Sequence, residues 1–341
     1  MKVASYHGVN DIRYEDMPAL SPGPGELLVK VRACGLCGTD ISKMREGIIP
    51  TPVVLGHEVA GDIAGKGEGA DGFNPGDRVV VSHHLPCFVC RFCRRGSHSQ
   101  CDEFKAQNIA PGGFSEYIIV KSNAVKKATF RIPDKISYEE ACFTEPLACC
   151  LRAYERCGVR IGDTVMIIGM GSVGLGHLQM ARLFGAGKTI AADRIDSRLA
   201  LAVKFGADLT LNVDRDDIRK EVGEFTGSRG ADAVIVAAGG VVALQESFGV
   251  VSRGGKIVVF AGCPPDTTLK INPEIIYHSE ITLIGSYSST PAEQAAALEL
   301  ISAGKINVRD LITHRFKLSE LGKAVETAIE ARDSLKIIIS G

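Results

Sequence analysis

No apolar stretch of this 341-residue chain reaches the roughly 18 residues that a membrane-spanning helix needs, so a helical membrane protein is excluded as its expected class. Charge of one sign is also missing: 39 basic residues are set against 40 acidic ones, for a net charge of -1. The basic face that nucleic acid or anionic lipid would require is therefore absent, and neither is expected as a partner. The chain has no internal repeat, low-complexity tract or long flexible linker, which excludes solenoid and disordered classes. Its opening segment, MKVASYHGVN, lacks the pattern of a secretory signal, so the expected location is the reducing cytoplasm. Disulfides are disfavoured there, and the eleven cysteines read better as metal ligands or buried thiols. What the chain does have is core material: 45% hydrophobic residues over a length that suggests about two domains. Its 38 glycines fall at strand ends and turns.

The patterning divides the chain. To about residue 145, short apolar runs such as 27–31, 53–55 and 79–81, broken by Gly and Pro, read as all-β. From residue 164 strands and helices alternate: strands at 164–168, 189–192, 233–237, 256–260 and 281–284, helices at 173–184, 197–205 and 242–250. Such alternation builds a parallel sheet covered on both faces. A helix at 291–303 and a last strand at 335–339 are expected to pack back on the first domain.

Four cysteines, Cys87, Cys90, Cys93 and Cys101, are spaced C-x2-C-x2-C-x7-C. Four thiolates on short spacers suit tetrahedral zinc and leave no open position, so this lobe, about 84–104, reads as structural. Further on, Gly169-Met170-Gly171-Ser172-Val173-Gly174 follows a strand directly and opens a helix. The first glycine permits the turn, the second lets backbone amides approach a pyrophosphate, and the third lets helix and strand pack closely. Asp193 ends the next strand, where a carboxylate accepts hydrogen bonds from ribose hydroxyls and favours NAD over NADP. Arg194 can instead pair with a ribose phosphate, and Arg198 lies one helical turn on. Ala238, Gly262, Gly285 and Ser286 sit at later strand ends, where open α/β sheets bind ligands.

A second metal site is suggested by Cys37 in GLCGTD (35–40) and by His57-Glu58 in GHE (56–58). One thiolate, one imidazole and a carboxylate leave zinc an exchangeable position, as a catalytic site requires. These motifs, the cysteine lobe, Glu145-Pro146-Leu147 and IGMGSVG (168–174) occur in the order found in the zinc-containing medium-chain alcohol dehydrogenases, which the chain resembles over nearly its full length. The similarity is to the branch of sorbitol, polyol and threonine dehydrogenases.

The resemblance implies a GroES-like β-rich catalytic domain (1–147), a doubly wound Rossmann domain binding NAD (148–286), and a C-terminal return to the catalytic domain (287–341). It implies catalytic zinc held by Cys37 and His57, with Glu58 and Glu145 as exchangeable carboxylates, and a homo-oligomer, dimer or tetramer. Ordinary alcohol dehydrogenases carry cysteine where this chain has Glu145, while the polyol branch carries glutamate in an EPL sequence like this one. A more oxygen-rich shell suits a substrate that chelates through two hydroxyls. Thr39 matches the family's first proton relay, but Ser42 replaces the histidine that many relatives place five residues after the cysteine, which leaves the proton exit open.

His83 and His84 precede the lobe and are expected as half-exposed loop residues with an ordinary titration range, contact with substrate being the lesser alternative for either; His84 falls near a histidine of threonine dehydrogenase-like relatives. Cys34, Cys142, Cys149, Cys150, Cys157 and Cys263 are expected as buried small residues. The strand 256–260 and its neighbour 281–284 are expected to pair across subunits. The leading expectation is oxidation of a secondary alcohol in a polyol or sugar-derived alcohol with hydride transfer to NAD. Alternatives are threonine dehydrogenase-like activity and a non-enzymatic zinc- and nucleotide-binding redox sensor.

Overall fold

The computed structural model describes residues 1–341 apart from 107, 265 and 332, and divides into two compact units: Met1–Ala148 with Ser289–Gly341, and Cys149–Ser288. Among the described residues, nine strands belong to the first part of the chain: β1 (Lys2–Gly8), β2 (Asp11–Asp16), β3 (Leu27–Leu36), β4 (Val53–Val54), β5 (Glu58–Lys66), β6 (Arg78–Val81), β7 (Ile109–Ala110), β8 (Tyr117–Val120) and β9 (Thr129–Arg131). Six follow in the second unit: β10 (Thr164–Ile168), β11 (Lys188–Asp193), β12 (Leu209–Asn212), β13 (Ala231–Val236), β14 (Val251–Val259) and β15 (Thr282–Gly285). The chain then returns to the first unit with β16 (Ile312–Lys317) and β17 (Lys336–Ser340).

The first unit is built on a sheet of order β16-β17-β3-β5-β6-β9, with β8 paired to β3 and β7, beside a smaller sheet β2-β1-β4. Along β3, Leu27, Val29 and Val31 alternate inward with Lys30 and Arg32 and join Val3, Ile63, Val79, Phe114 and Ile118 in one core. The all-β expectation for this region needs correction. A helix at Gly38–Glu46 follows β3, and another at Thr144–Cys157 closes the segment. Apolar-run reading missed both because their first turns carry the polar residues of motif segments.

The C-terminal return is also richer than one strand: β16 and the helix Leu321–Glu330 precede β17. β17 runs antiparallel to β3, with Ile338 opposite Gly35, and Gly35 in turn lies opposite Glu58 of β5. Three strands distant in sequence thus converge on Gly35. A Cβ at that glycine would stand 1.8 Å from Glu58 Oε2, so the site geometry requires its absence.

In the second unit six parallel strands take the order β12-β11-β10-β13-β14-β15, the doubly wound arrangement expected from the alternation. β10 is wholly buried (Thr164–Ile168), as a central strand covered on both faces must be. β12 and the helix Ile218–Thr226 were not legible, since Leu209–Asn212 is short and only half-buried. β14 lies between β13 and β15 and is no edge strand, so pairing across subunits through 256–260 is ruled out, and of the two expected strands β15 alone lies at a sheet edge among the described residues. No helix among the described residues is long and apolar enough to cross a membrane.

Candidate active site and cofactor turn

The four-cysteine lobe forms as its spacing demands. Its sulfur atoms all lie within 4.8 Å of one another, and every cysteine of the chain is free of disulfide. The Cys87 amide donates to Cys101 Sγ (3.4 Å) and the Cys90 amide to Cys87 Sγ (3.3 Å). Burial disfavours the Cys101 thiolate, yet amides of Cys87, Phe104 and Glu103 outweigh it and bring the thiol down to about 7, while Cys93 is pushed up to about 12 by burial and its cysteine neighbours. The donor set fits a structural zinc ion.

The second cluster joins Cys37, His57 and Glu58, one ligand atom from each lying within 4.8 Å of the others. Cys37 is the N-cap of the helix Gly38–Glu46, and its sulfur accepts from the Thr39 amide at 3.5 Å. His57 is oriented from behind: its Nδ1 lies 3.2 Å from Oδ1 of the buried Asp40, whose Oδ2 also accepts from the Cys37 amide at 3.4 Å. With Nδ1–H donated to Asp40, Nε2 is the nitrogen left for a metal. Burial works against a charged His57, but Asp40 and Cys37 overcome it and hold its pKa well above the usual range. A divalent ion held at Nε2 would take the place of that proton. The donor set fits zinc with an open position.

Glu58 is fully buried and faces Lys336 of β17, whose Nζ donates to Oε1 at 2.8 Å and Oε2 at 2.6 Å. Burial opposes the lysine's charge, but Glu58, Cys37 and Glu145 keep its pKa raised. Glu145 stands outside the triplet, buried in the first turn of the helix Thr144–Cys157, with its charge felt at Lys336. Thr39 and Ser42 are both exposed on the helix that follows Cys37.

Two residues of this cluster were missed in the sequence. Asp40 had a signal, being the acidic N3 residue of a capping box whose N-cap is Cys37. Lys336 had none, since it lies 278 residues from Glu58. Two expectations are corrected. His83 and His84 are half-exposed loop residues as expected, but their titration range is not ordinary: burial together with the positive charge of His57 and Lys43 pushes His83 well below the usual range and His84 down to about 4. Cys263 is exposed and Cys149 only half-buried, whereas Cys34, Cys142, Cys150 and Cys157 are buried as expected.

In the second unit, Gly169 adopts φ +98°, and a Cβ there would meet the Ala238 amide at 2.7 Å. At Gly174 a Cβ would lie 1.7 Å from the Gly169 carbonyl oxygen, so the glycines meet real steric demands. Gly171 caps the helix Ser172–Leu183, in whose first turn Ser172, Val173 and Gly174 sit. Asp193 is buried at the end of β11 and accepts from the amides of Met170 (2.6 Å) and Ile195 (2.9 Å), with Arg198 Nη1 4.0 Å away. Arg194 is turned outward, 3.9 Å from Asp214. Gly239 approaches Gly262, the Gly285 carbonyl accepts from Arg156 at 3.0 Å, and the buried Ser286 Oγ has no partner in the protein. The glycine turn, Ala238 and Asp193 thus meet at the carboxyl ends of β10, β11 and β13.

Residues 23–134 match the family described as alcohol dehydrogenase GroES-like domain, and residues 172–303 match that of zinc-binding dehydrogenases. The chain is 34% identical to a sorbitol dehydrogenase of Bacillus subtilis, covering 99% of this chain and 97% of the relative. It is 31% identical to a D-arabitol-phosphate dehydrogenase of Enterococcus avium, with 97% and 94% covered. A crystal structure of a zinc-binding dehydrogenase from Sinorhizobium meliloti bound to NADP superposes with a TM-score of 0.89 at 29% identity, covering 100% of this chain and 99% of that one. With two thiolate-containing ligand sets, a glycine turn at a parallel sheet and relatives of this kind along its length, the chain belongs to the zinc-containing medium-chain alcohol dehydrogenases, oxidoreductases that act on CH–OH groups with a nicotinamide cofactor.

Proposed function

We propose that the protein oxidises a secondary hydroxyl of a polyol or sugar-derived alcohol to a ketone, with NAD as hydride acceptor. The observation that carries this reading is the mixed cluster of Cys37, His57 and Glu58, with the carboxylate of Glu145 buried nearby in place of a second thiolate. The names of relatives that act on sorbitol and D-arabitol phosphate support it. Cys37, His57 and Glu58 would hold zinc, and Glu145 is proposed as an exchangeable fourth carboxylate. Bound zinc lowers the pKa of a hydroxyl beside it, and bound nicotinamide accepts hydride.

The chain's own residues supply the rest. Asp40 fixes the His57 tautomer, and the Thr39 amide at the helix N-terminus donates to the Cys37 sulfur. Lys336 holds the Glu58 carboxylate by two short hydrogen bonds, so the ammonium would compete with a bound metal for it. Thr39 is proposed to receive the substrate proton, and its exposure together with that of Ser42 gives water direct access in place of a histidine exit. Asp193 supports NAD: a 2′-phosphate next to a carboxylate fixed by two amides is repelled, and Arg194, the cation that would favour NADP, is turned to Asp214. The free edge of β15 supports a homo-oligomer in which two such edges pair.

The test is NADH formation by zinc-replete protein on sorbitol, arabitol, 2,3-butanediol and threonine, with NADP in parallel. Turnover on polyols with NAD, and a shift of the NAD/NADP ratio by about 10-fold or more in D193N, is the expected result. Absence of polyol turnover despite stoichiometric zinc and NADH binding would reject the reading.

A further inference from the structure

The helix Gly38–Glu46 rises from Cys37 and carries a cation that the reaction as described does not use. Thr39, Ser42 and Lys43 stand at i, i+3 and i+4 along it and so share one face. Thr39 and Ser42 are exposed and Lys43 is half-buried, so none of the three is closed to solvent. Thr39 lies in the first turn, its amide 3.5 Å from Cys37 Sγ, and Ser42 and Lys43 lie one turn on. Along the helix axis that turn is about 5 Å, the span of a few carbon atoms. The face thus runs from the metal cluster outward and ends in a hydroxyl and an ammonium side by side.

The carboxylates near this face are already committed. Asp40 gives Oδ1 to His57 Nδ1 and Oδ2 to the Cys37 amide, and Glu58 is held by Lys336. The Lys43 ammonium makes no ion pair or hydrogen bond among the described residues, although its charge is felt at Asp40, His83 and His84. A charge partly withdrawn from water and left without a counter-charge is unfavourable until a ligand supplies one. Lysine is a compact point charge with three donors, suited to the terminal oxygens of a phosphate, whereas a planar carboxylate is better matched by the fork of an arginine. The Ser42 hydroxyl adds a further donor.

We infer that Lys43, with the Ser42 hydroxyl beside it, binds the phosphate of a phosphorylated polyol whose secondary hydroxyl is presented at the Cys37–His57–Glu58 cluster. The inference deepens the polyol reading by naming the substrate class, and rests on it. Arg45 supplies an internal control. It is exposed and unpaired in the same last turn, but two residues on it stands about 200° round the helix, away from the face of Thr39 and Lys43.

The experiment compares kcat/KM of the zinc-loaded enzyme with NAD for sorbitol, sorbitol 6-phosphate and gluconate, beside calorimetric binding of sorbitol 6-phosphate at low and high salt. Sorbitol 6-phosphate should exceed sorbitol by about tenfold or more, mainly through KM, and its binding should weaken with salt. The phosphate-to-sorbitol ratio should fall about tenfold in K43M and about threefold in S42A, and stay near its original value in K43R and R45M. Zinc content and sorbitol turnover report whether K43M is folded, and K43Q takes its place if it is not. Equal kcat/KM for sorbitol and its phosphate overturns this inference alone, as does a phosphate preference that survives in K43M and K43Q or falls equally in R45M. A stronger preference for gluconate overturns it too, since the anion recognised would then be a carboxylate. No turnover of either sorbitol or sorbitol 6-phosphate overturns the functional reading and this one with it.

Discussion

The two metal-ligand clusters of the first unit differ in how they are assembled. The thiolate lobe draws all four ligands from residues 87–101, and its amides bond its own sulfurs. The Cys37–His57–Glu58 cluster needs three strands, a helix cap and a lysine from the far end of the chain. A closed site can be built locally because it only has to hold its ion. An open one must balance charge whether or not the metal position is filled, and this requires groups that do not ligate: Asp40 behind His57 and Lys336 against Glu58.

The comparison breaks if the clusters are not independent. C37A should lose turnover by on the order of 10³-fold and one of two zinc equivalents, while retaining the folded lobe. C93S should lose the other zinc equivalent and lower the thermal midpoint. Metal analysis beside kinetics and thermal scans checks both. Loss of both ions in either variant would show a single coupled site.

Lys336 sharpens the contrast. Its side chain is 3% exposed and that of Glu58 is 0%. Removing one partner of such a pair leaves a buried charge, at a cost of about 3–5 kcal/mol. K336M should therefore be destabilised by that order when metal-free, and much less when zinc is present to compensate Glu58. Denaturation with and without zinc distinguishes this from a packing loss, which zinc would not repair.

The same contrast explains what the sequence disclosed. Cys87 to Cys101 and Gly169 to Gly174 are legible because local spacing is the mechanism: short spacers bring the thiolates together, and Gly174 must clear the Gly169 carbonyl five residues back. The parallel sheet was legible through its wholly buried strand Thr164–Ile168. Lys336 was not, because it looks like any strand-end lysine until β17 lies against β3 and Glu58 comes opposite Gly35. The titration of His83 and His84 was misjudged for a related reason, since their lowered pKa values come from burial and from the positive charge of His57 and Lys43, neither of which adjoins them in sequence.

His177 gives the smallest effect and extends the comparison to a buried group that no charge compensates. It is fully buried in the helix Ser172–Leu183, edge-on to Phe260 at 4.4 Å, and neither ring nitrogen has a partner in the protein. Burial pushes its pKa down to about 3. The unfolded chain takes up a proton near pH 6.5 that the folded chain refuses, so its contribution to stability is intact above that pH and is lost as pH falls toward 3. Between pH 7 and pH 5 the loss amounts to about 2 kcal/mol. H177L, which retains a buried apolar side chain and cannot titrate, should gain on the unsubstituted protein by that amount over the interval in chemical denaturation at the two pH values. An unchanged difference would mean that the imidazole is paired in solution, and that buried nitrogens in this fold find partners without an opposing charge.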